Sequence, residues 1–256
     1  MPTASTKAAS DQPAAVGNGG LRDLVQTLRA THTQQTRAMG AAGFRGWHER
    51  GLLPHFDVPG HVQFVTFRLA DSLPSEVLAK LGKLEDRSLA LRRMEAELDL
   101  GKGACWLGRT DIAGIVERAL LHFHTTRYDL RAWCIMPNHV HVLFMPTGAA
   151  MASILDSWKT FTAREANRLL NRSGQRFWQA DYFDVYARDS GHELRLRRYV
   201  EANPNKAKLV LDPREWPWSS ARFRDEGGRL DLPMTHRPAQ EAASPRTTCR
   251  QGVLRP

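Results

Sequence analysis

Cysteines and long apolar runs are scarce in this 256-residue sequence. The three cysteines, Cys105, Cys134 and Cys249, are far apart and odd in number, which excludes a disulfide framework and a CxxC zinc motif. No stretch approaches the run of about 18 apolar residues expected of a membrane-spanning helix. The first residues also lack the apolar segment of a secretory signal. We therefore expect a cytoplasmic protein with reduced thiols and no membrane partner.

Acidic residues are outnumbered by basic ones. The sequence has 36 Lys and Arg against 27 Asp and Glu, which gives a net charge of +9 and a pI near 9.9. Between Lys159 and Arg224 there are 14 basic and 8 acidic residues, so this region carries most of the excess. A basic excess concentrated in one region is typical of proteins that bind a polyanion, most often nucleic acid.

Composition divides the chain into one domain and two polar ends. Residues 1–43 are rich in small and polar residues, which predicts an extension that is mostly disordered or weakly helical. Residues 224–256 predict a flexible basic tail that could add non-specific affinity for DNA or RNA. Residues 44–223 contain most of the aromatic and branched apolar residues, and they predict a single folded domain.

Hydrophobic periodicity within this domain predicts an α+β fold. Alternating apolar residues predict strands at 61–69, 128–135 and 139–145, with a short element at 182–188. Helical spacing predicts helices at 75–100, 111–125, 151–171 and 192–202, the last of which we expect to end before Pro204. An antiparallel sheet with helices packed on one face would satisfy this order.

The motif His139-Val140-His141 lies on the predicted strand 139–145. Because strand side chains alternate between faces, both histidines project from the same face. Two buried imidazoles side by side are costly unless their nitrogens are used, and a divalent metal ion would use both. Core or edge histidines that bond to the backbone are the alternative interpretation.

The helix predicted at 192–202 offers the second half of a site. Tyr199 and Asn203 are four residues apart, so they lie on one helical face. An amide oxygen can ligate a hard divalent cation, and a phenol becomes a useful nucleophile beside such a cation. If this helix packs against the histidine strand, His139, His141 and Asn203 form an open three-ligand site beside Tyr199. A structural tyrosine and a helix-terminal asparagine are the alternatives.

Other residues are candidates for contact with nucleic acid. Tyr182 and Tyr186 are rival nucleophiles because they precede Tyr199 in a similarly basic region. Phe177 and Trp178 could stack unpaired bases, and core packing is the alternative for either residue. The candidate DNA-binding set is Arg68, Lys159, Arg164, Trp178, Arg188 and Arg198.

The segment Met136-Pro137-Asn138-His139-Val140-His141-Val142 resembles the HUH motif of single-tyrosine transposases. Five further segments resemble the family and follow in its order. They are residues 64–69, 158–162, 177–184, 198–204 and 216–221. Over roughly residues 50–223 the chain is similar to the REP-associated tyrosine transposases of this family.

This resemblance implies an HUH endonuclease fold, a ferredoxin-like antiparallel sheet with the histidines on a central strand. It implies that Tyr199 attacks a phosphodiester of single-stranded, hairpin-forming DNA and stays linked to a 5′-phosphate. It also implies that His139, His141 and Asn203 hold Mg²⁺ or Mn²⁺. Asn205 and Lys208 depart from the family, in which valine and glycine are more usual, and this departure concerns loop shape or DNA contact rather than the chemistry.

Two other functions are compatible with the sequence. The chain could bind structured nucleic acid without cleaving it, which would need the basic face but not the two histidines. It could also be a metallohydrolase in which a metal-bound water attacks and Tyr199 is structural. Whether the protein is a monomer or a homodimer decides whether Tyr199 meets the histidines of its own chain.

Overall fold

The computed structural model describes residues 40, 43–50, 53–81, 83–84 and 87–232. The chain divides into two units, Met1–Ala41 and Ala42–Pro256, and the described residues belong almost entirely to the second unit. The predicted N-terminal extension therefore lies outside the described residues, except for Gly40 and Gly43. No helix within the described ranges is long and apolar enough to cross a membrane.

Strands and helices are interspersed along the described part of the chain, as the periodicity predicts. The strands are β1 (Gly46–Arg50), β2 (Leu53–Asp57), β3 (Gln63–Arg68), β4 (Tyr128–Ile135), β5 (His139–Pro146) and β6 (Phe183–Tyr186). The helices are α1 (Ser75–Leu81), α2 (Arg87–Asp99), α3 (Thr110–His122), α4 (Met151–Leu169) and α5 (Ser190–Lys206). Short 3-10 turns occur at Trp106–Gly108, Pro213–Glu215 and Ser220–Phe223.

The main sheet has four antiparallel strands in the order β4-β5-β3-β6, and β1 and β2 form a separate hairpin. The histidine strand β5 is central, as the resemblance implies. The outer edge of β4 is covered by the segment that follows α5, because Ile135 N–H donates to the Trp218 carbonyl and Cys134 bridges to Ser219. The predicted antiparallel α+β fold is confirmed.

Helices cover both faces of the sheet, so the expectation of helices on one face is wrong. Val140, Val142 and Phe144 share a buried cluster with residues of α3 and α4. The opposite face of β5 carries His139, His141 and Leu143, and Leu143 is clustered with residues of α2 and α5. Residues on both faces of β5 are buried, so each face of the sheet needs a covering layer, and helices provide both layers.

Helix α5 runs through Pro204 and ends at Lys206, so the predicted end before the proline is also wrong. Proline removes one backbone donor and crowds the preceding turn. Pro204 stands near the end of α5, which stops two residues later, and Ala207 N–H donates to the Asn203 carbonyl there. The disruption is therefore confined to the final turn, and Lys206 stays on the same helix as Tyr199.

The predicted helix at 75–100 is two helices, α1 and α2, and the sequence has Gly82 between them. Glycine is a weak helix former, which favours a break at this point.

Residues 224–232 pack against the domain, so the prediction of a flexible tail from residue 224 onward is wrong for this segment. Arg224 forms an ion pair with Glu201 of α5 at 2.8 Å, and its backbone bridges to Leu230. Leu232 is buried with the core cluster that contains α3 and α4. Ion pairing and apolar burial therefore hold this segment, and residues 233–256 lie outside the described part.

Candidate functional site

The imidazoles of His139 and His141 converge at the centre of the sheet. Both are buried, and their Nε2 atoms are 3.0 Å apart. The period-two geometry of β5 directs both rings to the face that α2 and α5 cover. The same-face projection inferred from the sequence is what the structure shows.

Asn138 determines which nitrogen of His139 carries the proton. The Asn138 amide donates from Nδ2 to the carbonyls of Leu98 and Lys102, at 3.0 and 3.2 Å. Its Oδ1 therefore serves as the acceptor that lies 2.7 Å from His139 Nδ1. An acceptor at this position requires a proton on Nδ1, so the lone pair of His139 is on Nε2 and points at His141.

Thr66 gives His141 a choice of tautomer. Its hydroxyl lies 2.8 Å from His141 Nδ1 and can either donate or accept. If His141 carries its proton on Nε2, this N–H donates a hydrogen bond to His139 Nε2. If His141 instead carries its proton on Nδ1, it donates a hydrogen bond to Thr66, and two Nε2 lone pairs then face each other at 3.0 Å. Only a cation between the two nitrogens makes that arrangement favourable.

Both histidines are held in the neutral form that a metal ligand requires. Burial lowers the pKa of His139 to about 3. Burial also lowers the pKa of His141 well below its ordinary value, and the neighbouring His139 and Lys206 lower it further. Neither imidazole therefore needs to lose a proton before it can bind a cation.

The spacing of the two imidazoles fits a metal ion with six ligands. Two Nε2 atoms 3.0 Å apart, each at a bond length of about 2.1 Å, subtend an angle of about 90° at the ion, as octahedral coordination requires. No group of three or more His, Cys, Asp or Glu residues in the described part could hold a metal ion. Any third protein ligand among the described residues would therefore be of another residue type, and the sequence predicts Asn203 for this place.

Tyr199 lies beside this pair in the same chain. Its ring centroid is 5.9 Å from that of His141 and 5.7 Å from that of Phe64, both in edge-to-face arrangements. The Tyr199 hydroxyl oxygen is buried and has no hydrogen-bond partner among the described residues. Leaving a buried hydroxyl without a partner costs about 1–3 kcal/mol. The hydroxyl oxygen is therefore available to bond to a ligand.

Asn203 is buried one helical turn beyond Tyr199. Its Nδ2 donates to the Tyr199 backbone carbonyl at 2.8 Å. The donating half of the amide is thus bound to the helix, so a cation would have to meet Oδ1. Hard divalent ions prefer this oxygen type.

The rival nucleophiles lie elsewhere. Tyr182 stacks on His55 of β2 at 4.3 Å, and Tyr186 packs on Phe56 at 4.5 Å. Both belong to the β2–β6 contact, on the far side of β3 from the histidine strand. Tyr199 is the tyrosine that the structure brings to His141.

Two of the predicted DNA-binding residues are buried. Trp178 donates from Nε1 to Thr162 Oγ1 at 2.9 Å and packs on Phe67, so the core-packing alternative is what the structure shows, and the listing of Trp178 as a DNA contact is corrected. Arg68 ends β3 opposite His139 and donates to Ser72 Oγ at 3.2 Å. Burial lowers the pKa of Arg68 to about 10, so it remains cationic near neutral pH.

The other predicted contacts are at the surface. Arg164, Arg188 and Arg198 are exposed, and Lys159 is partly exposed and donates to the Ala180 carbonyl. Arg164 also pairs with Glu165 at 3.1 Å. The structure leaves these side chains accessible to a polyanion without bringing them to the histidines.

Asn138, Thr66, Glu95 and Lys206 belong to the site but were missed in the sequence. Asn138 directly precedes His139, and this adjacency was the available signal. Lys206 Nζ lies 3.7 Å from the Tyr199 ring centroid. Burial raises the pKa of the nearby Glu95 carboxyl to about 8, with Lys206 opposing and Asp99 reinforcing the shift.

Comparison with known proteins supports the sequence resemblance. Residues 115–203 match the sequence model of the family described as "Transposase IS200 like", and this segment contains both histidines, Tyr199 and Asn203. The resemblance to tyrosine transposases is therefore confirmed over this segment. No curated protein matches the chain.

The solved structures that are similar to the chain include two transposases. One is described as a REP-associated tyrosine transposase bound to a REP hairpin, with 17% identity, coverage of 73% of this chain and 91% of that one, and a TM-score of 0.46. The other is a putative transposase from Deinococcus radiodurans R1, with 14% identity, coverage of 61% and 98%, and a TM-score of 0.28.

The raised pKa of the Glu95 carboxyl should make the free energy of unfolding depend on pH. Its folded-state pKa of about 8 exceeds its ordinary value of 4.5, so the folded chain keeps a proton that the unfolded chain has lost. The free energy of unfolding should therefore fall as pH rises from about 4.5 to about 8. Glu95→Gln should flatten this fall in urea unfolding series, whereas Glu97→Gln on the same helix should keep the wild-type slope. An unchanged slope in Glu95→Gln would contradict the assignment.

Proposed function

We propose that this chain, whose residues 115–203 match the IS200-like transposase family, is a metal-dependent endonuclease and strand transferase of single-stranded, hairpin-associated DNA. One observation carries the proposal. The buried Tyr199 hydroxyl has no partner among the described residues, and its ring lies against the convergent imidazole pair of the same chain. A nucleophile and a phosphate-activating centre are thus neighbours within one subunit.

The proposed reaction exchanges one phosphodiester for another. Tyr199 Oη attacks the scissile phosphorus, the bond from phosphorus to the 3′-oxygen breaks, and the phenolic proton ends on the released 3′-hydroxyl. The product is a 5′-phosphotyrosine. Because one ester replaces another, the step can reverse and rejoin strands without an external energy source.

His139, His141 and Asn203 would hold Mg²⁺ or Mn²⁺. A divalent ion bound there supplies Lewis-acid polarisation of the scissile phosphate. The chain contributes the fixed directions of its ligands. Asn138 holds His139 Nε2 toward the site, Thr66 can accept a hydrogen bond from His141 Nδ1–H, and the Tyr199 carbonyl holds the Asn203 amide.

Basic residues provide the route for the DNA strand. Arg68 is buried at the end of β3 and directly opposite His139, so it is suited to a phosphate near the reacting one. The exposed Arg164, Arg188 and Arg198, together with Lys159, would contact the backbone further away. Such contacts bind phosphates without reading sequence.

The proposal predicts a covalent adduct that depends on Tyr199. Hairpin oligonucleotides labelled at the 3′ end are incubated with the protein and Mn²⁺, then analysed on denaturing gels. We expect the 3′ label to become protein-linked and a 5′ label to give a shorter free strand. Tyr199→Phe should abolish both products because it removes only the attacking oxygen.

Tyr186→Phe is the matched control and should react as the wild type does. An adduct that persists in Tyr199→Phe would show that the nucleophile is misassigned. Cleavage without any adduct would indicate a metallohydrolase, and tight hairpin binding without cleavage would indicate a binding protein.

The hydrogen bond from His139 to Asn138 predicts a pattern of metal affinity. Asn138→Ala removes the acceptor that directs His139 Nε2, and loss of such a partner typically lowers metal affinity about 10–100-fold. Asn138→Asp keeps an acceptor for Nδ1–H but loses the amide donor to the Leu98 and Lys102 carbonyls, so it should fold less stably yet bind Mn²⁺ more tightly than Asn138→Ala. Calorimetric titration with Mn²⁺ measures both.

His122→Ala, which changes a histidine at the end of α3, should leave Mn²⁺ affinity unchanged. Thermal unfolding of each variant separates loss of the site from loss of the fold. Equal affinities for Asn138→Ala and wild type would contradict the proposed role of Asn138.

A further inference from the structure

Lys206 approaches the face of the Tyr199 ring. Its Nζ is 3.7 Å from the ring centroid, within the range of a cation–π interaction. The two residues are seven apart on α5, and positions separated by two turns share one face of a helix. The passage of α5 through Pro204 is what keeps Lys206 in this position.

Two carboxyl groups of α2 interact electrostatically with the same ammonium. Glu95 and Asp99 both raise the pKa of Lys206, against burial, which lowers it. Lys206 in turn lowers the pKa of each carboxyl, against the burial that raises it. The charge of Lys206 is therefore coupled to these carboxyl groups, and its Nζ lies over the Tyr199 ring.

The other neighbours of the Tyr199 ring are uncharged. Phe64 and His141 meet it edge to face, and His141 is neutral. Among the described contacts of this ring, Lys206 brings the positive charge. A cation over an aromatic face attracts the ring more strongly as negative charge accumulates on it, because the attraction is electrostatic.

We propose that Lys206 is a positioning residue for the nucleophile, which holds the Tyr199 ring against His141 and stabilises the negative charge that builds on the phenol as it attacks. This inference rests on the proposed function. In the step, the bond from Tyr199 Oη to phosphorus forms, the bond to the 3′-oxygen breaks, and the phenolic proton passes to that oxygen. Lys206 keeps its proton throughout.

The test separates the charge of Lys206 from its bulk. Lys206→Met keeps an unbranched apolar stem without the ammonium, and Lys206→Arg keeps a cation that can lie over the ring. With saturating hairpin DNA and Mn²⁺, we expect adduct formation to slow about tenfold in Lys206→Met and to recover to within about threefold of wild type in Lys206→Arg. DNA and Mn²⁺ affinities should stay within about twofold of wild type.

Lys208→Met is the matched control, because it removes an equivalent exposed charge two residues away. It should leave the rate unchanged. Equal rates for Lys206→Met and wild type would overturn the inference, as would an Lys206→Arg variant as slow as Lys206→Met. Either result leaves the proposed function intact as long as Tyr199→Phe still abolishes the adduct.

A second measurement does not depend on activity. In protein labelled with ¹³C-tyrosine, the ring signal of Tyr199 is identified by its absence in Tyr199→Phe. Lys206→Met should shift this signal, and Lys208→Met should not. An unmoved Tyr199 signal in a folded Lys206→Met variant would overturn the inference even if the wild type formed no adduct.

Discussion

Two buried imidazole nitrogens held 3.0 Å apart impose the constraint on which the rest of the site depends. The alternation of β5 places them together, and burial keeps both rings neutral. Asn138 then directs the Nε2 lone pair of His139 toward His141. The His141 ring must therefore either donate a hydrogen bond to that lone pair or share a cation with it. The hydroxyl of Thr66 can serve both states, which allows metal binding without a change in the net charge of the protein.

The same arrangement couples the fold to the chemistry. Asn138 is bound to backbone carbonyls at the C-terminal end of α2 and to His139, so it links a helix to a ligand. Helix α5 contributes Val200 to the core cluster on this face, places Tyr199 beside His141 and sets Lys206 over the Tyr199 ring. A change in the packing of either helix would therefore move the groups that we expect to react.

The sequence was informative where short-range geometry decides the outcome. Strand alternation was sufficient to pair His139 with His141, and helical spacing was sufficient to pair Tyr199 with Asn203. Burial is a tertiary property, so the sequence could not show that Trp178 packs in the core rather than stacking a base. Lys206 was missed because Pro204 was expected to end the helix, whereas a proline near a helix end disrupts only its last turn.

Anomalous scattering at the manganese edge, measured on crystals soaked in Mn²⁺, shows whether the imidazole pair binds a metal ion. We expect one peak within about 2.3 Å of the Nε2 atoms of both His139 and His141, on the side of Tyr199. An empty site, with the two imidazoles bonded to each other and manganese bound elsewhere, would contradict it.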